Sequence, residues 1–213
     1  MKLDPVHDVQ KAFRKILEAM ASPGSVVDLA AEAELLDLEL PVNRGILIVA
    51  LALLDAETSF CVVSGNASAS TDAQAGAISH LTYAKIASPA DADFIFVLGP
   101  ASCSSSAGTT IGETPGAGAA GAIAAANPGT LVDPHLGATI VVEVAAVTEE
   151  GPLRLSGPGI ASEARLGVGA DPAWMEARRL KNAEFPLGVD ILFVDGHSRL
   201  AALPRTTVMT EGT

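Results

Sequence analysis

The first twenty residues alternate apolar and charged positions at a spacing that predicts an amphipathic helix. Asp4 is placed to cap the amino end of this helix, and Pro5 suits the first turn because its missing N–H would be unpaired there anyway. The triplet Ser22-Pro23-Gly24 predicts where the helix ends. Charged side chains occupy one side, and the opposite side carries an apolar stripe made of Val9, Phe13, Ile16, Leu17 and Met20.

Apolar and β-branched runs further along predict an alternation of strands and helices. The almost wholly apolar run 44–54 predicts a helix that is buried on most of its sides. The segment Leu153-Arg154-Leu155 follows a turn signal, Glu150-Gly151-Pro152, and is expected to pair with the strand before that turn. Other predicted helices cover 71–81 and 172–182, and predicted strands cover 25–29, 58–63, 93–98 and 138–147.

The last quarter of the chain predicts a β-hairpin. Residues 189–194 form a short apolar run rich in β-branched and aromatic side chains, which is typical of a strand buried on both faces. Asp195-Gly196 begins the turn, because Asp-Gly is a strong hairpin signal. Residues 200–203 are expected to form the second strand. Pro204 either ends this strand or places it at an edge of the sheet, because proline has no N–H to donate to a neighbouring strand.

Helices and strands alternate early in the chain, and strands cluster late. This order predicts the α/β class, with a mixed sheet and helices on both of its faces. A chain of 213 residues can be built around one core, so we expect a single domain over residues 1–213.

The charge of the chain argues against nucleic-acid binding. There are 13 basic and 25 acidic residues, a formal net charge of −12, whereas nucleic-acid binding depends on Lys and Arg that neutralise phosphates. The same overall field disfavours small anions, so a phosphate site would need a local arginine cluster or a surface supplied by a partner.

Membrane insertion and secretion are not predicted either. The apolar run 45–54 is too short to cross a bilayer and is bracketed by Arg44 and Asp55, and the amino terminus has no apolar signal core. Two cysteines, Cys61 and Cys103, give no disulfide framework in a chain of this size. We therefore expect a soluble cytoplasmic protein without membrane contact.

No motif of the chain predicts a catalytic residue or a metal site. Residues 116–121 read Gly-x-Gly-x-x-Gly, but a dinucleotide site needs a strand directly before this motif and an acidic residue about 20 positions later. A helix of small residues that ends at Asn127-Pro128-Gly129 is the favoured interpretation. No serine lies in a Gly-x-Ser-x-Gly elbow, and the histidines have no metal-ligand spacing: His7, His80, His135 and His197.

Two short segments are the best candidates for ligand binding. Gly157-Pro158-Gly159 can expose backbone N–H groups to an anion, and Arg205-Thr206-Thr207 offers a guanidinium beside two hydroxyls. A positively lined cleft that also contained Arg154 would favour a ligand site. The structural alternative is a turn and a strand terminator, with Arg205 paired to a carboxylate such as Asp190, and this alternative is favoured. The candidate ligand-binding residues are Arg205, Thr206, Thr207, Gly157, Gly159 and Arg154.

Six segments, taken in order, resemble a known family, the H subunit of the bacterial carbon–phosphorus lyase system, called PhnH. The resemblance extends over residues 5–208, and the Ser-, Gly- and Ala-rich segment 101–127 departs from it. The segments that carry it are Phe13 to Gly24, Ala50 to Thr58, Ala92-Asp93-Phe94, Gly137-Ala138-Thr139, Leu155 to Ile160, and the hairpin from Phe185 to Thr207.

The resemblance implies a fold and a function. The implied fold is a three-layer α/β/α sandwich related to the large domain of pyridoxal-phosphate-dependent transferases, without the cofactor. The implied function is that of an accessory, non-catalytic subunit that acts with subunits G, I and L to form ribose 1-phosphonate 5-triphosphate from ATP and an alkylphosphonate. The isolated subunit is expected to be a homodimer. The alternative is a stand-alone small-molecule enzyme or a phosphonate-binding protein, with a site near Arg205 and Gly157.

Pyridoxal phosphate and metal cofactors are not expected. The pyridoxal cofactor needs a lysine for its internal aldimine. Lys2, Lys11 and Lys15 belong to the amino-terminal tail or an exposed helix face, and neither Lys85 nor Lys181 has a recognisable cofactor-lysine context.

Overall fold

The structure is a computed structural model and describes residues 2–64, 71–99 and 118–211. Most of segment 101–127, including Cys103 and the first two residues of the Gly-x-Gly-x-x-Gly motif, lies outside the described residues. The helices are α1 His7–Ala21, α2 Ala30–Glu34, α3 Arg44–Leu53, α4 Asp72–Thr82, α5 Gly118–Ala125 and α6 Ala173–Lys181. The strands are β1 Val26–Asp28, β2 Ser59–Ser64, β3 Lys85–Ile86, β4 Phe94–Leu98, β5 Thr139–Val144, β6 Val147–Ser156, β7 Ala164–Val168, β8 Asp190–Asp195, β9 Arg199–Leu203 and β10 Val208–Glu211.

A seven-stranded mixed sheet forms the centre of the fold, as the order of elements predicts. The strand order is β1-β9-β8-β5-β4-β2-β3. The strands β3, β2, β4, β5 and β8 run parallel to one another. The predicted hairpin is confirmed, because β9 pairs antiparallel with β8 and in turn with β1.

Alternate residues of the sheet contribute to two separate hydrophobic clusters, one on each face. On one face, Leu192 and Val194 pack with apolar side chains of helices α1 to α4. On the other face, Ile191 and Phe193 pack with α5, α6 and a second, smaller sheet. The helix α3 is buried through residues 45–50, as its all-round apolar pattern predicts.

One sequence prediction about strand pairing is wrong. Leu153 does not pair back onto β5, because Val147–Ser156 is one continuous strand of a three-stranded antiparallel sheet ordered β10-β6-β7. Residues 150–152 form an irregularity inside β6, where the register with β7 shifts between Thr148 and Leu153. Gly151 and Gly167 approach so closely there that a Cβ at Gly151 would overlap the Gly167 backbone. One outer layer therefore combines helices with a small sheet.

Asp4 caps helix α1, as the sequence predicts. Its Oδ1 accepts hydrogen bonds from Val6 N at 2.8 Å and His7 N at 3.0 Å. These backbone donors favour the ionised carboxylate, and they lower the pKa of Asp4 from 3.8 to about 2.

We expect the cap of α1 to be lost in acid. Because the pKa of Asp4 is lower in the folded state, its stabilisation is fully present above the unfolded pKa of 3.8 and is lost as the pH falls through about 2. Thermal melts of the wild type and of Asp4→Ala should therefore differ at about pH 5 and converge near pH 2. The exposed Asp37 serves for comparison, and Asp37→Ala should follow the wild type throughout. A gap between wild type and Asp4→Ala that stays constant with pH would contradict this assignment.

Within the described ranges, no helix is both long enough and apolar enough to span a bilayer.

Candidate functional site

A cleft of about 920 Å³ lies between helix α6 and the segment that leads from Arg205 through β10. Its apolar lining consists of Pro172, Met175, Ala183, Phe185, Leu187, Val208 and Met209. Its polar lining consists of Arg178, Asn182, Arg205, Thr206, Thr207 and Glu211, together with the ion-paired Glu176 and Arg179.

Helix α6 forms one wall of the cleft, and local contacts fix its position. Asp171 caps its first turn by accepting a hydrogen bond from Ala173 N at 2.9 Å. Trp174 packs edge-on against Phe193 of β8, with ring centroids 4.9 Å apart. At the other end, Lys181 Nζ donates to the carbonyls of Ala124 and Ala126 at 2.7 and 2.9 Å, which ties α6 to the end of α5. Desolvation lowers the pKa of Lys181.

Arg205 is held by the protein itself. Its Nη2 donates to Asp190 Oδ2 at 2.7 Å, and its Nε lies 3.2 Å from the same oxygen. Nη1 donates to Pro134 O at 2.7 Å, and Nη2 also reaches Gly137 O at 3.3 Å. All three guanidinium nitrogens therefore have protein partners. The predicted pairing of Arg205 with Asp190 is confirmed.

Arg178 is the residue of the cleft that sequence reasoning missed. It is only 4% exposed. Its Nη2 donates to Pro204 O at 2.7 Å and to Thr207 O at 3.0 Å. Its Nε has no hydrogen-bond partner in the part of the chain that the structure describes, and neither does the buried Oγ1 of Thr207. Desolvation lowers the pKa of Arg178, against the opposing attraction of Asp190.

A sequence signal for the burial of Arg178 does exist. Arg178 lies four positions after Trp174, so the two residues share one face of the helix. Trp174 is 2% exposed, and the face that buries it also turns Arg178 inward. The neighbouring Arg179 lies on another side of α6 and pairs with Glu176 in solvent.

The two predicted candidate segments come together next to the cleft. Strand β10 pairs with β6, so that Val208 lies opposite Ser156. Gly157 follows with a φ of +133°, and a Cβ there would lie 3.1 Å from Thr206 O. Thr206 is exposed and Thr207 is buried.

Gly159 and Arg154 do not line this cleft. Gly159 packs against the end of α1, where Ala21 and Pro23 leave no room for a side chain. Arg154 lies on the small sheet and pairs with Glu163 at 3.4 Å, with both side chains well exposed. A cleft shared by Arg205 and Arg154 is therefore not formed. The arginines that line the cleft beside Arg205 are Arg178 and Arg179.

The lining of the cleft combines apolar side chains with a few polar and charged ones. The residues that line it include no histidine, cysteine or serine, and the described residues hold no cluster of three or more metal-type ligands. Apolar walls with a few converging polar groups are typical of small-molecule sites, as is a volume of this size.

Comparison with known proteins gives a consistent result. The model of a family described as bacterial phosphonate metabolism protein (PhnH) matches residues 2–210. HtxG from Stutzerimonas stutzeri, named as a putative C–P lyase subunit protein, is 35% identical to this chain over 201 residues. That alignment covers 93% of this chain and 84% of HtxG. The family match includes every residue of the cleft lining up to Met209.

Proposed function

This chain belongs to the PhnH family of bacterial phosphonate metabolism proteins, and on that premise we propose that it is an accessory, non-catalytic subunit of a carbon–phosphorus lyase complex. In this role it acts with the G, I and L subunits to form ribose 1-phosphonate 5-triphosphate from ATP and an alkylphosphonate. The observation that carries the proposal is the match to the family and to HtxG over nearly the whole chain.

The site supports a role without chemistry of its own. General acid–base or nucleophilic catalysis needs a positioned titratable group or an activated nucleophile. The cleft offers arginines that bind or neutralise charge. Of its two carboxylates, Glu176 is engaged by Arg179, and Glu211 lies at the exposed end of β10. A subunit of this kind contributes binding surface to a larger enzyme.

Purification from the native host tests the proposed function. A tagged copy of this chain should co-purify with the other carbon–phosphorus lyase subunits. The isolated chain should show no turnover of ATP and an alkylphosphonate. Release of the nucleobase of ATP by this chain alone would overturn the accessory role if its rate per milligram rose as the chain was purified. Failure of the other subunits to co-purify would overturn the assignment to a complex.

We also propose that the chain works without pyridoxal phosphate. A fold related to the large domain of the transferases that use this cofactor is a separate part of the proposal. The Lys181 ammonium is engaged by two carbonyls at the end of α5, and Lys85 is exposed on the short edge strand β3. Neither lysine lines the cleft between α6 and β10. A cytoplasmic location, without contact to nucleic acid or membrane, completes the proposal.

A homodimer of the isolated chain is a further part of the proposal. The apolar helix α3 is largely buried and offers no exposed patch for it. Exposed apolar side chains lie instead on the loop before β5, where Leu131 is 65% and Val132 is 87% exposed. Patches of this kind mark protein interfaces, and a two-fold interface uses the same patch on both subunits.

Light scattering checks the dimer. We expect a dimer for the wild-type chain and a monomer for Val132→Asp, because an aspartate at the centre of an apolar interface is desolvated without a partner. Ile86→Asp changes another exposed apolar residue, at the far edge of the main sheet, and should remain dimeric. A wild-type chain that is monomeric at all concentrations would contradict the dimer. If docking uses the same patch, the other subunits should convert the dimer into a larger assembly with one copy of this chain.

A further inference from the structure

We propose that the cleft between α6 and β10 receives an extended segment of another polypeptide, which adds to β10 as a further strand. The extended conformation and the side chains of that segment follow from the cleft. That the polypeptide is another subunit of the lyase complex rests on the proposed function.

Strand β10 lies at an open edge of the small sheet. In the order β10-β6-β7 it has one neighbour, β6, and residues 208–211 make no backbone hydrogen bond to any other described element. Proteins usually protect the unpaired N–H and C=O groups of an edge strand with lysine, proline or a bulge. Residues 208–211 include neither lysine nor proline, and their register with β6 is regular. This edge is therefore able to pair with a further strand.

The carbonyl of Thr207 shows which backbone groups of β10 face the cleft. It accepts a hydrogen bond from Arg178 Nη2 at 3.0 Å, so it points to α6 and away from β6. Backbone groups alternate in direction along an antiparallel strand. The N–H and C=O of Val208 are therefore directed at β6, and those of Met209 and Glu211 are directed at the cleft. Arg178 supplies at Thr207 the donor that a neighbouring strand would supply.

The cleft follows the backbone edge of β10. Its lining takes in the consecutive residues Val208 and Met209 together with Glu211, and helix α6 forms the opposite wall. The four residues of β10 span about 13 Å, which sets the length over which a segment can pair. Addition of a strand to an exposed sheet edge is a recurrent mode of peptide recognition.

The apolar lining selects the side chains of the segment. Phe185 is 75% exposed and Val208 is 58% exposed, although both are large apolar residues, and Met175 and Leu187 also line the cleft. Exposed apolar surface of this kind marks protein interfaces. Side chains of a strand point alternately to its two faces. The segment should therefore be apolar at every second position.

The charges of the cleft select an uncharged segment. Arg205 is paired with Asp190, and Arg179 is paired with Glu176. The remaining charged residues of the lining are one cation, Arg178, and one anion, Glu211. The cleft is therefore electrically balanced, whereas the whole chain has a formal net charge of −12. A charged segment would gain nothing from it.

A single extended segment fits the cleft better than a second copy of this chain does. In a second copy β10 lies beside its own α6, so pairing of two β10 edges would bring that helix into the cleft as well. A segment without such a wall meets no obstacle.

Amide hydrogen exchange of the full chain, followed by nuclear magnetic resonance, tests the added strand. The probes are overlapping peptides of about 12 residues, longer than a typical strand, that together cover the G, I and L subunits. At least one peptide with apolar residues at alternate positions should slow exchange at Met209 N–H about tenfold or more. Val208 N–H is already bonded to β6 and should change little. Peptides that all leave Met209 unprotected would overturn the inference.

Two variants of one residue test the hydrogen bond. Met209→Pro removes the N–H that faces the cleft, and proline is tolerated in an edge strand at such a position. Met209→Ala loses the same side-chain contacts and keeps the N–H. The proline variant should bind the peptide about fivefold or more weakly than the alanine variant, and equal affinities would contradict strand addition. If Met209→Pro does not fold, Glu211→Pro and Glu211→Ala make the same comparison at the exposed end of β10.

A bulky side chain in the cleft tests its use as a groove. Ala183 is exposed and lines the cleft, so Ala183→Trp should leave the melting temperature unchanged and abolish peptide binding. Ala173→Trp is the matched control, because Ala173 is exposed in the first turn of α6 and is not part of the lining. Peptide binding by Ala183→Trp at the affinity of the control would place the segment elsewhere.

The added strand and the proposed function fail in different ways. Lyase subunits that co-purify equally well with the wild type, Met209→Pro and Ala183→Trp would overturn the strand and leave the function standing. A wild-type chain that co-purifies with none of them would overturn the function, and exchange at Met209 with the peptides would then decide the strand by itself. Protection of Met209 in the isolated chain, lost on dilution, would show that a second copy occupies the cleft and would overturn the occupant proposed here.

Discussion

Arg205→Met is expected to lower the free energy of unfolding by about 3 kcal/mol, because it leaves the half-buried carboxylate of Asp190 without its cation. The two side chains are only 17% and 16% exposed. The substitution also removes the donors that hold the carbonyls of Pro134 and Gly137. Urea unfolding followed by circular dichroism measures the effect.

Arg154→Met is the matched control for this prediction. Its ion pair with Glu163 spans 3.4 Å between side chains that are 43% and 45% exposed. Exposed pairs of this kind contribute about 0–1 kcal/mol, so the control should lose less than about 1 kcal/mol. Equal losses in the two variants would show that Arg205 does not have the structural role assigned to it.

Gly159→Ala is expected to destabilise the protein by about 3 kcal/mol or more, because two effects combine. The residue has a φ of +83°, a conformation that strains any residue with a Cβ. A methyl group there would also overlap the carbonyl oxygen of Ala21 at the end of α1. That overlap is with backbone, so no rotamer change relieves it. The turn after β6 and the end of α1 must separate to admit the substitution.

Gly76→Ala is expected to have the opposite effect and to stabilise the protein. Gly76 lies inside helix α4, and a Cβ there meets no atom within 4 Å. Alanine has the higher helix propensity, so this variant should gain about 0.5–1 kcal/mol. Thermal melts of the two variants, recorded side by side, show whether Gly159→Ala lowers the stability and Gly76→Ala raises it. A Gly159→Ala protein as stable as the wild type would show that the close contact with α1 does not exist in solution.

The two stability predictions concern residues that the sequence offered as ligand-binding candidates. In the structure the guanidinium of Arg205 donates to Asp190 and to two backbone carbonyls. Gly159 packs against α1. Ligand binding by either residue stays a prediction. Arg178 also lines the cleft, and its buried Nε has no partner in the described structure.

Local features of the sequence determined most of the main sheet. The turn at Asp195-Gly196 forms because Asp195 accepts hydrogen bonds from His197 N at 2.9 Å and Arg199 N at 3.1 Å, all within five residues. Helix α1 and its cap at Asp4 depend on neighbours three residues away. The spacing of apolar positions and the residue types that favour turns are short-range properties, so both can be identified in a single sequence.

Tertiary structure alone decided the partner of β6 and the environment of Arg178. Leu153 could pair with any strand of matching apolar pattern. In the structure it pairs with Leu166 of β7, next to a close approach of Gly151 and Gly167. The carbonyls that bind Arg178 lie 26 and 29 residues away in the chain. The sequence by itself therefore determined the family, the main elements and the Arg205–Asp190 pair. Folding determined the cleft, because its two walls and the carbonyls that bind Arg178 come from segments that are distant in sequence.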